Sequence, residues 1–152
     1  MRLALFQPDI PQNAGTLLRT AMCLGLNVDI IEPCGFVMSD KRLKRAGLDY
    51  LTCVDVTRHE TWEVFQGHAK RQGFRVVLLS TKARTPYTDF IFKEDDILMV
   101  GRESAGVPDE VFEAVDERVR ISMVVNARSL NVAVAAAMVI GEGLRQQKIH
   151  IA

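Results

Sequence analysis

Ile97-Leu-Met-Val-Gly-Arg-Glu-Ser-Ala-Gly-Val-Pro108 is the stretch on which the reading of this chain turns. Four apolar residues make a short strand, which empties into a glycine turn carrying one acid. Gly101 and Gly106 permit backbone geometry that a Cβ would forbid, and they let main-chain groups approach a ligand. Pro108 fixes the chain as it leaves the turn. A second stretch, Ile121-Ser-Met-Val-Val-Asn-Ala-Arg-Ser-Leu-Asn131, passes in the same way from a strand end into an Ala/Val/Met helix. Strand-to-loop exits of this kind are where an α/β protein is expected to bind a ligand.

Upstream, Phe74-Arg-Val-Val-Leu-Leu79 is a continuous β-branched and leucine run, the pattern of a buried strand. It opens into Ser80-Thr-Lys-Ala-Arg-Thr-Pro86, small polar and basic residues suited to lining a crevice. Arg2–Phe6 and Asn27–Ile31 read as further strands, Arg118–Ser122 as the last, and Leu51–Val56 as a short candidate. Leu17, Leu18, Ala21 and Leu24 give helical spacing over Gln12–Leu26, with Arg19 roughly on the other side. Thr57 or Thr61 would cap a helix carrying Trp62, Val64, Phe65 and Ala69 and ended by Gly73. Ser39 or Asp40 would cap a short basic helix over Lys41–Ala46, stopped at Gly47. Asp109 would cap another over Glu110–Val115. The closing helix covers about Asn131–Gln147. Its run Ala133–Met138 is apolar nearly all round, so it is expected to be buried on several sides, in the core or against a second subunit. Strands and helices alternate from end to end without repeats or linkers. That pattern means one α/β domain over 1–152 with a mostly parallel sheet.

With 152 residues, 48% apolar and 25% charged, the chain can build one core but not two comfortable ones. No signal peptide is read at its start. The longest apolar run, Val132–Ile140, falls far short of a membrane span, so no membrane role and a cytoplasmic location are expected. Cys23, Cys34 and Cys53 lack CxxC spacing. They fit a reducing compartment and offer no zinc site, and no metal is expected. His59 and His68 have no metal-ligand partners in sequence and read as surface or structural residues. Trp62 reads as core rather than as a base-stacking platform.

Nineteen basic and nineteen acidic residues cancel, so net charge lends nucleic-acid binding no support. What matters there is a local patch, and Lys41-Arg-Leu-Lys-Arg45 is one. On its own the run reads first as a solvated helix face.

Most standard chemical fingerprints are missing. No GxGxxG follows a strand. Gly101–Gly106 has the GxxxxG frame of a P-loop, but Val107-Pro108 stands where Lys and Ser/Thr would hold phosphates and magnesium. There is no GxSxG elbow, and the cysteines lack a histidine partner. What remains is a pocket built from backbone at the loops after Leu79, Val100 and Ile121, with Glu103, Arg19, Ser129 and Asn131 as its polar members. Backbone-lined loops suit an adenine- or nucleoside-bearing cofactor, whose edges need N–H and C=O partners in an apolar cleft. Arg19, on the early turns of a helix that opens from a polar loop, suits phosphate or ribose contact, or is a solvated arginine.

At these residues the chain resembles the SPOUT methyltransferases, and among them the small TrmL-like group that 2′-O-methylates the wobble nucleotide of certain tRNAs. Pro11-Gln-Asn-Ala-Gly-Thr-Leu-Leu-Arg19 matches the pattern N-x-G-x-x-x-R, and Gly101-Arg-Glu-Ser-Ala-Gly-Val-Pro108 matches G-x-E-x-x-G-x-P. Ile121-Ser-Met123 with Ser129-Leu-Asn131 forms the third block. Ile31–Phe36 and Asp40–Tyr50 look like the subgroup. The resemblance implies a Rossmann-like sheet with a C-terminal trefoil knot, an exception to the rule that chains do not thread themselves. It also implies S-adenosylmethionine as methyl donor and S-adenosylhomocysteine as product. Leu79, Gly101, Ile121 and Ser129 are implied cofactor contacts. Thr81, Val100, Glu103, Met123, Leu130 and Asn131 are expected beside them.

A homodimer is implied, with Arg19 acting across the interface. The expected substrate is cytidine or uridine at the wobble position of the tRNA anticodon stem-loop, leucine tRNA being the expected isoacceptor. Arg19, Asn13, Glu103, Ser129 and Asn131 are the implied catalytic set. Arg19, Lys41, Arg42, Lys44 and Arg45 are the implied RNA contacts. Two departures stand out: Ser122 replaces a proline of many relatives, and Val132-Ala-Val134 replaces Leu-Ser-Asn. Two other functions compete, a catalytically weak RNA-binding or adaptor protein of the same fold, and a flavodoxin-like nucleotide binder.

Overall fold

The computed structural model describes residues 1–37 and 55–147. Among these residues seven strands form one sheet: β1 (Arg2–Phe6), β2 (Val28–Ile31), β3 (Val56–His59), β4 (Arg75–Leu79), β5 (Thr85–Pro86), β6 (Asp96–Val100) and β7 (Glu117–Arg120). Among the described residues four α-helices accompany them: α1 (Pro11–Cys23), α2 (Trp62–Gln72), α3 (Asp109–Ala114) and α4 (Val132–Gln146). The strand order is β3-β2-β1-β6-β4-β7-β5, and every pairing is parallel.

Successive side chains in a strand point to opposite faces, and the core divides accordingly. Leu3, Leu5, Ile30, Leu98 and Val100 face α1 and α4, whereas Ala4, Phe6, Ile31, Ile97 and Met99 face α2 and α3. Every residue of β2 and β6 is buried, which is why Ile97–Val100 reads as a continuous apolar run. Truncating Leu98 or Met99 to alanine would cost roughly 2–5 kcal/mol through lost burial and the cavity left behind.

Local signals set the helix ends. Thr61 Oγ1 accepts the Val64 N–H at 3.3 Å, and Gly73 closes α2 in the left-handed region. Pro11 opens α1, where a missing N–H costs nothing. Asp109 is not a cap: Pro108 holds that position, and Asp109 is the first helical residue, where its charge favours the helix dipole. The short third strand is Val56–His59 rather than Leu51–Val56; residues 51–54, together with the expected basic helix and its caps, lie outside the described residues. The last strand ends at Arg120, so Ile121 and Ser122 belong to the loop. Only the front of the 80–86 segment is a crevice loop, because Thr85–Pro86 pairs with β7 as an edge strand.

The sheet also buries charge. Asp29 is fully buried, with Arg2 Nε 2.9 Å from one carboxylate oxygen and His59 Nε2 2.8 Å from the other. His59 is therefore structural. His68 stacks on it at 5.2 Å between ring centroids. Among the described residues no helix is long and apolar enough to cross a membrane.

Candidate active site

β6, β4 and β7 are neighbours, and Leu79 sits in register with both Val100 and Val119. Their carboxyl ends therefore deliver three loops to one place, where a cavity of about 420 Å³ opens. Leu79, Thr81, Val100, Gly101, Glu103, Ile121, Met123, Ser129, Leu130 and Asn131 all line it, and so does Asn13 from α1. The topology brings together every residue expected at the cofactor. The wall is built from strand-end and loop residues, glycine and apolar ones beside a few polar ones, the kind of surface that suits a small-molecule ligand.

The glycine loop after β6 closes on itself. Arg102 and Gly106 exchange two backbone hydrogen bonds, of 3.0 and 2.8 Å. Gly106 has φ +62°, and a Cβ on Gly101 would stand 2.7 Å from the Gly106 carbonyl carbon. Both positions thus require glycine.

The third loop is tied to the first. Asn131 Oδ1 accepts the N–H groups of Ala133 and Val134 at 2.9 and 3.3 Å, capping α4. Its Nδ2 donates to Asn13 Oδ1 at 2.9 Å. Asn131 is thereby both helix cap and tether, and Asn13 holds the far end of that tether.

Glu103 of the cavity wall faces a second acid, Asp9. Glu103 makes no ion pair with an arginine among the described residues. Instead its N–H donates to Asp9 Oδ1 at 3.0 Å, and its Oε2 accepts the Asp9 N–H at 3.4 Å. Asp9 Oδ2 also accepts the Ser104 N–H at 3.3 Å and the Ser104 hydroxyl. Burial, and then the neighbouring Asp9 carboxyl, push Glu103 above the ordinary carboxylate range. Hydrogen bonding with the Glu103 carboxyl, and with Ser104, holds Asp9 down to about 2.

The chain matches the description "SpoU rRNA Methylase family" over residues 1–141. It belongs to the SpoU methylase family. A tRNA (cytidine(34)-2′-O)-methyltransferase of Beijerinckia indica subsp. indica is 58% identical over 144 residues, covering 95% of this chain and 90% of the relative. A solved structure described as "Structural insights into the 2-OH methylation of C/U34 on tRNA" superposes with a TM-score of 0.90 at 41% identity, covering 97% of this chain and 95% of that one. The AviRb methyltransferase of Streptomyces viridochromogenes, solved with AdoMet, superposes at TM-score 0.84 and 25% identity, covering 97% of this chain and 60% of AviRb. Membership of the SpoU family removes the flavodoxin-like alternative.

Within this SpoU fold Arg19 does not join the cavity wall. It is exposed on α1. Six residues at 3.6 per turn set it roughly 120° around the helix from Asn13. The cation in the wall is instead Arg102, whose guanidinium lies 6.0 Å from the Phe6 ring centre. Lys41, Arg42, Lys44 and Arg45 lie outside the described residues. Within Val132-Ala-Val134 the amides of the latter two are bonded by Asn131. The closing helix is less enclosed than its composition suggests: Val134 and Met138, one turn apart, are 52% and 40% exposed. Sequence reading missed Asp9, Ser104 and Arg102 as members of the site. Asp9 and Glu103 are 94 positions apart, so no spacing could have paired them.

Proposed function

We propose that this chain transfers a methyl group from S-adenosylmethionine to the ribose 2′-oxygen of nucleotide 34, cytidine or uridine, in tRNA. The observation that carries the proposal is the convergence of three loops on one cavity, in a chain 58% identical to a tRNA (cytidine(34)-2′-O)-methyltransferase. The cavity volume of about 420 Å³ lies within the usual range for small-molecule sites, roughly 300–1,000 Å³. The 101–106 loop has no P-loop lysine for a polyphosphate, whereas exposed main chain beside Leu79, Val100 and Ile121 suits an adenosine moiety.

When bound, S-adenosylmethionine supplies a sulfonium-activated methyl group. The residues of the chain must then present the ribose oxygen and stabilise it as its proton leaves. A 2′-hydroxyl is weakly acidic, so it needs a base or a strong electrostatic partner. Arg19 stays protonated and cannot take the proton. Its role is to hold the phosphate beside the target ribose and to stabilise the developing negative oxygen. Asn13, Asn131 and Ser129 keep the first and third loops in register, and Glu103 anchors the glycine loop.

The active unit is a homodimer of single SPOUT domains, each spanning 1–152, in which Arg19 serves its partner's cavity. Exposed apolar side chains at Ile10, Val134 and Met138 support a second copy against α1 and α4. We also read a C-terminal knot. β5 lies outside β7, so the 80–84 connection crosses the sheet edge, yet α4 returns to pack on α1 and β6. Lys41, Arg42, Lys44 and Arg45 contact the tRNA backbone, which would make binding salt-sensitive. The test is transfer of labelled methyl from S-adenosylmethionine to bulk tRNA, followed by mapping of the modified nucleotide. Label on the ribose of nucleotide 34, in leucine tRNA first, is the expected result. Label on a base, or none in any tRNA, would overturn the proposal.

A further inference from the structure

Asp9 belongs to no motif that suggested the function, and it does not line the cavity. It is nevertheless held more tightly than a surface loop residue needs to be. The Gly35 N–H donates to Pro8 O at 2.9 Å, and a Cβ on Gly35 would stand 2.8 Å from Asp9 Cβ and 2.9 Å from its Cα. Gly35 is thus glycine so that the turn after β2 can press against Asp9. On the other side Gln7 adopts φ +45°, unusual for a residue with a side chain. Its N–H donates to Ile31 O at 2.8 Å, and its Nε2 donates to Glu32 O at 3.4 Å. The Gln7–Asp9 turn is therefore a strut clamped between the ends of β1 and β2.

What the strut supports is the tip of the glycine loop. Among the described residues, the Glu103 and Ser104 amides find their acceptors on the Asp9 carboxylate. In return the Asp9 N–H donates to the Glu103 carboxylate. The loop's internal Arg102–Gly106 bridge closes it but does not fix where it points. We propose that Asp9 is a positioning residue for methyl transfer, orienting the Gly101–Gly106 wall and the Glu103 carboxylate through this reciprocal pair of contacts. The proposal rests on the reading of the cavity as the methyl-donor site. The opposite displacement of the two acids, Asp9 down and Glu103 up, agrees with carboxyl groups held against each other.

The experiment uses the full chain with Asp9→Asn and Asp9→Ala. It measures hydrogen exchange at the Glu103 and Ser104 amides, calorimetric binding of S-adenosylhomocysteine, and kcat against KM for tRNA. Both variants are expected to exchange those amides faster. S-adenosylhomocysteine is expected to bind about tenfold more weakly at unchanged stoichiometry, the scale of losing hydrogen bonds to a charged acceptor. In addition, kcat falls while KM for tRNA holds within about twofold, because the loop is not the RNA-contacting surface. Unchanged affinity and kcat in Asp9→Ala overturn the proposal. So does reduced stoichiometry at unchanged affinity, which would mean that Asp9 supports folding alone. If Asp9→Ala does not fold, Asp9→Asn, which keeps one acceptor oxygen, decides. A wild-type protein that binds S-adenosylhomocysteine but methylates no tRNA strikes the substrate reading and leaves the Asp9 test standing. One that does not bind it overturns both.

Discussion

Asp9 and Asp29 are both aspartates beside β1, and their surroundings are opposite. Asp29 is sealed in the sheet between Arg2 and His59, so basic partners answer its charge inside the fold. Asp9 lies against Glu103 of the cavity wall, where backbone amides, a serine hydroxyl and that second acid surround it. No lysine, arginine or histidine pairs with it among the described residues. A buried acid held between an arginine and a histidine is a statement about stability. Two acids left facing each other in a crevice are a statement about the site. On this contrast, damage to the first region would cost folding, and damage to the second would cost methyl transfer.

The largest separation is expected at the site. Arg19→Ala would lower transfer to tRNA by roughly 10²–10⁴-fold, as for a positioned group acting on the reacting atoms. Its urea midpoint would stay at the wild-type value, because Arg19 is exposed. Steady-state kinetics beside a denaturation curve would check both halves, and an equal loss of stability would break the contrast.

Asp29→Ala is the mirror case. It strands Arg2 and His59 and would cost roughly 3–5 kcal/mol of stability. The molecules that remain folded would bind S-adenosylhomocysteine with wild-type affinity, as calorimetry on the soluble fraction would show.

Asn131→Ala sharpens the boundary, since this residue serves both purposes. Loss of the α4 cap would lower stability by about 1 kcal/mol. Loss of the bond to Asn13 would weaken cofactor binding as well, so both readouts should move together.

The smallest effect is in acid. The folded pKa of Asp9, about 2, lies below its ordinary 3.8, so its contribution to stability is full above 3.8 and is lost as pH falls through about 2. Glu103 is shifted upward, so its contribution has the opposite sign: ionising it as pH rises works against the fold. Urea midpoints across acid pH would show that Asp9→Asn flattens the lower limb, while Glu103→Gln flattens the one above it.

Much of the fold was legible because its signals are local. Thr61 and Gly73 bracket α2 by their own chemistry, and β4 is a run that only burial on both faces explains. β5 was not legible, since two residues become a strand only when β7 lies beside them. The third strand was displaced because Val56-Thr-Arg-His59 has polar members, one of which is a buried histidine balanced by an aspartate in the next strand. At the site, the cavity wall could be read from glycines and strand ends. The reciprocal bond of Asp9 and Glu103 could not, because it exists only once β1 and β6 are paired.

In the proposed dimer each cavity is completed by Arg19 of a neighbouring copy, and mixing two defective proteins tests this. One carries Arg19→Ala. The other carries Thr81→Trp, which fills a cavity whose wall includes Thr81. Neither alone is expected to methylate tRNA. Co-expressed in equal amounts, they are expected to recover roughly a quarter of wild-type activity, because half of the two-fold dimers are mixed and each mixed dimer has one complete site. No recovery from verified mixed dimers would contradict the claim, since Arg19 would then serve the cavity of its own chain.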